Sequence, residues 1–584
     1  MKILIAAIMA GALAAAAPVL AQEARPNIVV ILADDVGFSD LGAYGSEIST
    51  PNIDALAARG ALFSNFHASP VCAPSRAMLL TGMTSHLAGV GNLPETLPPE
   101  HQGAPAYLGR LADDVVTVAA LLQRAGYRTA VTGKWHLGHT PSALPPSHGF
   151  DRSFVLDASG ADNWEQRSYL PIYSDAPWFE DGEPAVLPED FYSSQFIVDK
   201  AIDYIEEGEG ASEPFFAYLA FQAIHIPVQA PREFVEKYED VYAEGWEALR
   251  RARFEGVVAR GLMPEDVELG PMPDGLRAWE SLTDEEKALF AKSMAVNAGM
   301  LEAMDHHIGR FIDHLKQRGD YENTVFFVLS DNGPEPNAPS DIPGFSQWLW
   351  WEGYSRDVET LGEKGTYAFI GPEFASAAAS PGAFFKLYAG EGGIRVPFIV
   401  AGPGIPAAGH VADFSFITDI APTILELANV DQLSDVDGRA VKPMTGRSLM
   451  PLLGGATPHY GPEESVGLEA AGNAALFRGN YKLVRNMPPF GDGEWYLYDI
   501  ALDPGETRDL SAERPELFAG MRAEYDRFAK DAGVLEIPEG YEQMAQISKK
   551  WMEENGWFIA CAFIALLYLI AGAGSSVRRL VRRS

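Results

Sequence analysis

Apolar residues along this chain follow two rhythms. Unbroken runs rich in β-branched and aromatic residues occur at Asn27–Ala33, Phe215–Phe221, Thr324–Leu329 and Val396–Val400, with a shorter one at Arg128–Thr132. Runs of that length without polar alternation are expected of strands buried on both faces, as in a parallel sheet. Between them, apolar positions recur every three to four residues over Asn52–Arg59, Val115–Ala125, Phe196–Ile205 and Glu285–Arg318, which predicts amphipathic helices. Gly60 and Gly126 stand where the first two of these helices end. Helices alternating with buried strands predict an α/β fold over residues 26–460: a large mixed, mostly parallel sheet flanked by helices.

After residue 460 the pattern shortens. Ala475–Val484 and Glu494–Tyr498 have the form of short antiparallel strands around turns, and Pro515–Phe528 that of a helix. Residues 461–531 are therefore expected to form a smaller α+β subdomain, and residues 532–555 a linker or juxtamembrane helix. Both ends carry membrane-type patterns. Residues 1–21 start with Lys2, continue apolar and close on Val19-Leu20-Ala21, the form of a signal peptide. The uncharged stretch 557–573 spans roughly 26 Å as a helix, just long enough to cross a bilayer. Four arginines in the tail 574–584 would hold that tail in the cytoplasm. These patterns predict an exported, periplasmic or otherwise extracytoplasmic body, anchored in the membrane by a C-terminal transmembrane helix.

Charge and cysteine content narrow the picture. The 584 residues hold 44 Lys and Arg against 80 Asp and Glu, a formal net charge of −36. A nucleic-acid partner is therefore not expected, and an anionic ligand must be attracted by a local group of cations against the global field. There are two cysteines, Cys72 in the body and Cys561 in the terminal apolar stretch. The body cannot form an internal disulfide, and a lone cysteine in an exported chain points to chemical use or modification.

Four strand ends deliver polar groups: Asp34 and Asp35, then Lys134 and His136, then His225, then Asp331 and Asn332. In open α/β sheets the ligand crevice lies at that edge. The all-oxygen set Asp34, Asp35, Asp331 and Asn332 suits calcium or magnesium better than zinc, although Asp and Asn singly also suit caps and turns. No His-x-x-x-His pair or second cysteine accompanies His136 or His225, which favours acid–base roles. Lys134 falls on the same face of an extended segment as His136 and reads as an anion-binding charge. Lys386, five residues before Glu391-Gly392-Gly393, is preferred to Lys364 as a further cation. Cys72 precedes Pro74-Ser75-Arg76 and an apolar run, so a loop enters a helix there. A side chain at such an N-terminus faces unpaired N–H groups, a favourable place for a tetrahedral anion.

These residues together resemble the type I sulfatases, formylglycine-dependent arylsulfatases of the alkaline-phosphatase-like superfamily. The resemblance runs in order through Pro26–Gly37, Cys72-Ala-Pro-Ser-Arg76 to Gly82, Gly133–Gly138, and His225 with Pro227. It continues through Ser330–Gly333, Lys386 with Glu391–Pro397, and Leu497–Pro504, covering residues 26–530. It implies that a formylglycine-generating enzyme oxidises Cys72 to formylglycine, whose hydrate is the nucleophile. It also implies calcium, magnesium less so, held by Asp34, Asp35, Asp331, Asn332 and residue 72. Arg76 would stabilise the hydrated aldehyde. Lys134, His225 and Lys386 would hold the sulfate oxygens, with His225 or Lys386 as proton donor. His136 would take a proton from the second hydroxyl, so that sulfate leaves and the aldehyde reforms.

The expected reaction is hydrolysis of a small organic sulfate monoester, an aryl sulfate first, to alcohol or phenol and inorganic sulfate. The alternatives are a phosphonate or phosphate ester hydrolase using the same site, and a non-catalytic, membrane-tethered binder of sulfated ligands. The terminal apolar stretch is not general in that family. Residues 333–385, with Trp348, Trp350, Trp351, Tyr354, Tyr367 and Phe369, are expected to wall an aromatic substrate pocket.

Overall fold

In the computed structural model, residues 25–207, 213–339, 344–407, 409–543 and 545–552 are described. The first apolar run becomes β1 (Asn27–Ala33), followed by β2 (Ala61–Phe63), β3 (Phe66–His67), β4 (Arg128–Lys134), β5 (Arg152–Leu156), β6 (Trp178–Glu180), β7 (Glu183–Pro184) and β8 (Phe215–Ala220). Then come β9 (Thr324–Ser330), β10 (Phe398–Ala401), β11 (Gly409–Val411) and β12 (Ser415–Phe416). Ten of these make one sheet in the order β11-β2-β10-β9-β1-β8-β4-β5-β6-β7, and β3 pairs with β12. The middle five, β9 to β5, are parallel. Every residue of β1, β8 and β9 is buried, which is why those runs carry no polar alternation.

Two expected elements shift for identifiable reasons. The run Val396–Val400 yields β10 only from Phe398, antiparallel to β9. Pro397 has no N–H to give a ladder, so the strand starts after it. The helix expected over Val115–Ala125 is Val118–Arg124, because Thr117 caps it by accepting the Ala120 N–H. The helix Asp284–Arg318 starts at a full capping box, Thr283 with Glu286.

A hairpin of β13 (Asp435–Val436) and β14 (Arg439–Ala440) precedes a second sheet. That sheet is antiparallel, β15 (Ser465–Ala470), β16 (Asn473–Arg478), β17 (Tyr481–Arg485) and β18 (Trp495–Asp499), and the helix Pro515–Ala532 packs against it. Residues 533–552 then return across the first unit. Leu535 N–H donates to the Tyr107 hydroxyl (3.1 Å), and the Tyr541 hydroxyl donates to the Thr96 carbonyl (2.7 Å). Lys550 reaches the Pro94 carbonyl, and Gln546 and Ile547 are buried.

The mixed α/β class with its mostly parallel sheet stands, but the C-terminal transmembrane helix and the membrane-anchored location are corrected. No helix among the described residues is long and apolar enough to cross a membrane. The longest, Asp284–Arg318, carries charges along its length. The stretch 557–573 lies outside the described residues, as do residues 1–21 and 574–584.

Candidate active site

The pairing of β1 with β9 sets Ala33 beside Ser330, so the residues that follow each strand emerge side by side. Asp34, Asp35, Asp331 and Asn332 meet there, all fully or almost fully buried. Asp35 adopts the left-handed backbone (φ 65°), which turns consecutive carboxylates toward one centre. Asn332 Nδ2 donates to Asp35 Oδ1 (2.6 Å). The ligand atoms of Asp34, Asp35, Cys72 and Asp331 lie within 4.8 Å of one another.

Burial pushes the Asp34 carboxyl above its ordinary value, with the Asp331 charge adding to it. Burial raises Asp35 much further. Asp331 is buried too, yet Arg76, Lys134 and Lys386 hold it below the usual carboxylate range. Two oxygens, Asp34 Oδ1 and Asn332 Oδ1, are buried and accept no hydrogen bond. Unsatisfied inward-facing oxygens beside crowded carboxylates fit a hard divalent cation.

Cys72 is the first residue of the helix Cys72–Thr81 and is fully buried. The Ser75 hydroxyl accepts the Ser69 N–H (3.0 Å), tying the incoming loop to the first turn. Burial pushes the Cys72 thiol well above its ordinary pKa although Lys134 and Lys386 oppose it, so the residue is a neutral thiol. One turn on, Arg76 is buried and forked onto Asp331 Oδ2 from Nε (3.0 Å) and Nη2 (2.7 Å), and Nη1 donates to the Lys134 carbonyl (2.7 Å).

Lys134, the last residue of β4, donates to Asp34 Oδ2 (2.6 Å). Lys386 bridges Asp35 (2.7 Å to Oδ1) and Glu335 (2.7 Å to Oε2). Burial alone would neutralise both lysines. The partner carboxylates win, Asp34 for Lys134 and Asp35 for Lys386, and both stay charged. His225 follows β8, with Nδ1 donating to the Ile226 carbonyl (2.7 Å) so that Nε2 faces the site. Burial, reinforced by Lys386 and Lys134, keeps this imidazole neutral. His136, two residues past β4, also has a left-handed backbone (φ 58°). Its Nε2 faces both oxygens of Glu95 (3.2 Å each), and its buried Nδ1 has no partner.

Two carboxylates here were not among the sequence candidates. Glu335 comes three residues after Asn332, within the same strand-end loop, and its position at the sheet edge was a usable signal. Glu95 lies in an irregular loop with no motif around it. Burial would raise its carboxyl, but His136 and the Tyr173 hydroxyl overrule that and hold it at about 2. Lys364 ion-pairs with Glu165, away from the cluster.

The cavity in front of these residues is small, about 40 Å³, and is lined by Glu95, Tyr169, His225, Glu335, Lys386 and Ile547 among others. The aromatic wall expected from 333–385 is not there. Trp350 and Trp351 are 78% and 76% exposed on the surface, Tyr367 and Phe369 are core, and Trp348 packs on Phe345 and Tyr354. The ring that meets His225 is Tyr169, edge-on at 5.3 Å.

Comparison with known proteins agrees with this geometry. A family model described as Sulfatase matches residues 26–430. An uncharacterised sulfatase of Schizosaccharomyces pombe is 36% identical over 538 residues, 89% of this chain and 96% of that protein. An arylsulfatase of Klebsiella aerogenes is 36% identical over 439 residues, 74% of this chain and 92% of that one. Among solved structures, Ps i-CgsB in complex with k-i-k-neocarrahexaose superposes with a TM-score of 0.62 at 23% identity, covering 90% of this chain and 97% of that one. At that identity the likeness speaks to the fold.

Proposed function

Starting from a chain that belongs to the sulfatase family and hydrolyses sulfate esters, we propose that residue 72 is its nucleophile and that Asp34, Asp35, Asp331 and Asn332 hold calcium. The observation that carries this reading is the buried cluster itself, three carboxylates with two unsatisfied oxygens around the Cys72 side chain. A buried site with four protein side chains offering oxygens suits calcium, which accepts six to eight in loose geometry, better than magnesium, which usually takes only one or two carboxylates. When bound, the cation would offset the carboxylate charge and polarise an oxygen on residue 72. A neutral buried thiol is a poor nucleophile, which supports conversion of Cys72 to formylglycine by a maturation enzyme. That group would supply the attacking hydroxyl.

The chain's own residues would then divide the work. Arg76 fixes Asp331 and offers guanidinium N–H to the oxygen on residue 72. Lys134 and Lys386, both charged, hold sulfate oxygens. His225 Nε2 faces the same space as an acceptor, its one proton being held on Nδ1, so the charged Lys386 is the group with a proton to give to the departing ester oxygen. Glu95 fixes the proton on His136 Nε2, leaving Nδ1 free to act as base.

The test is mass spectrometry of the peptide containing residue 72, with turnover of 4-nitrophenyl sulfate. Active protein should carry formylglycine there, and Cys72→Ser should lose at least about 10³-fold in kcat with an unchanged fold. A chelator should abolish turnover, with calcium restoring it better than magnesium. Unmodified cysteine in fully active protein, or wild-type rates in Cys72→Ser, would sink the assignment.

A further inference from the structure

The catalytic cavity leaves the organic half of the substrate without a place. At about 40 Å³ it holds some three waters at the 10–15 Å³ each needs, the size of a sulfate head and no more. A second cavity of about 350 Å³ adjoins it, and Asn337, Pro339 and Leu387 line both. This second cavity is a groove between six pieces of chain: the loop after Asn332, Pro372, the turn at Leu387 and Tyr388, Ala471 with Asn473, the Met487–Phe490 turn, and Tyr541–Gln543 of the returning C-terminal segment. Its walls are prolines, Leu387, Met487 and the rings of Tyr388, Phe490 and Tyr541, and the two rings Tyr388 and Phe490 pack at 5.9 Å. Among the described lining residues there is no lysine or arginine, and Glu542 is the one charge.

We propose that this groove is the subsite for the organic group, and that it takes an uncharged, apolar skeleton of two or three rings. This rests on the sulfatase reading of the adjoining cavity. The volume falls in the range of small-molecule sites, and the walls reward burial of apolar surface. The polar groups of the lining are Asn337, Asn473, Gln543, Glu542 and two tyrosine hydroxyls, which suit one or two substituents on a skeleton better than the ring of hydroxyls that a sulfated sugar would have to desolvate against the prolines, Leu387 and Met487. A multiply sulfated glycan would bring further anions to a wall with no cation and one carboxylate. The C-terminal segment completes the subsite. It is held over the first unit by the Tyr541 hydroxyl on Thr96, the Leu535 N–H on Tyr107 and Lys550 on Pro94, and it places Ile547 at the mouth of the catalytic cavity.

The experiment compares 4-nitrophenyl sulfate, biphenyl-4-yl sulfate and glucose 6-sulfate on the full-length enzyme, and measures binding of biphenyl-4-yl sulfate to a Cys72→Ala protein by calorimetry. The wild type should favour biphenyl-4-yl sulfate over glucose 6-sulfate at least tenfold in kcat/KM. Met487→Asp, and separately Phe490→Ala, should lower the biphenyl to nitrophenyl ratio of kcat/KM at least fivefold, mainly through KM, and weaken calorimetric binding by a similar factor. The proposal is overturned if both variants leave that ratio and the binding constant where they were, or if glucose 6-sulfate is the better substrate. Groove-dependent binding in a wild type that hydrolyses none of the three esters would uphold the subsite and sink the nucleophile assignment instead.

Discussion

At the scale of single residues, the site is built from groups whose charge states are set by their partners. Asp35 and His136 both sit in the left-handed backbone region, which for non-glycine residues costs on the order of 1 kcal/mol. Each uses it to aim a side chain inward. Glu95 illustrates the division of labour. It holds the proton of His136 on Nε2 and so defines the base without taking part in bond making. Glu95→Gln should reduce kcat about 10–100-fold with KM nearly unchanged, and Glu95→Asp should recover part of the loss. Steady-state kinetics on an aryl sulfate check this, and an equal fall in both parameters would mean that Glu95 only supports the fold.

At the scale of elements, the four strand ends are rigid because the sheet is, and the Lys386 loop needs separate anchoring. Gly333 N–H donates to the Gly393 carbonyl (2.8 Å), and a Cβ at Gly333 would come within 2.0 Å of the Gly392 carbonyl, so the two loops touch only because glycine stands there. The second sheet clamps the other side. Lys482, fully buried on β17, ion-pairs with Glu391 and Glu506 (2.8 Å each), and Arg395 and His67 complete the cluster on Glu391. Glu391 lies well below the usual carboxylate range despite its burial, through Lys482 first and then Arg395, whereas burial lifts Glu506 to about 7. Lys482→Met would leave the buried Glu506 without its ion-pair partner and Glu391 with Arg395 as its remaining cation. It should destabilise the protein by about 3–5 kcal/mol, read as a lowered thermal midpoint, and loosen Lys386 enough to raise KM for sulfate esters. A midpoint within a degree of wild type would show that the clamp is dispensable.

At the scale of the whole molecule, buried histidines and the depressed carboxylates Glu95 and Glu391 together make stability fall toward acid, the histidines over the higher part of the range. Burial, with Arg395 and Lys482 nearby, holds His67 at about 4, and burial beside Arg310 holds His307 at about 3. Unfolded, both return to 6.5. As pH falls below 6.5 the unfolded chain takes up protons that the folded one refuses, so this stability is complete above 6.5 and lost progressively down to about 3. For His67 it is on the order of 3 kcal/mol. Asp305, raised to about 6, and Glu506 work in the opposite direction over part of that window. Thermal midpoints should fall from pH 7 toward pH 4, and His307→Gln should flatten the fall; an unchanged slope would rule His307 out as a contributor.

Much of this was legible along the chain, and the limits are physical. The unbroken apolar runs announced buried strands because nothing else hides that much β-branched surface in so short a span. The polar pairs just past them, Asp34 with Asp35 and Asp331 with Asn332, marked one edge of the sheet because strand ends are where a parallel sheet gathers its loops. The cysteine at a helix start and the cations Lys134 and Lys386 were likewise readable as types. Glu95, the Lys482 cluster and the apolar groove were not. Each joins residues tens to hundreds of positions apart, and no periodicity records a contact made only when loops fold over one another. The same holds for the aromatic stretch 333–385, whose composition suggested a pocket wall although packing sent its rings to core and surface. Local chemistry by itself determined which groups this protein brings to its reaction. Tertiary structure alone decided which carboxylates are shared with lysines, which histidine nitrogen is free, and what shape of organic group can lie beside the sulfate. Desolvation and partner charge depend on what surrounds a residue, and the surroundings exist only once the chain has closed.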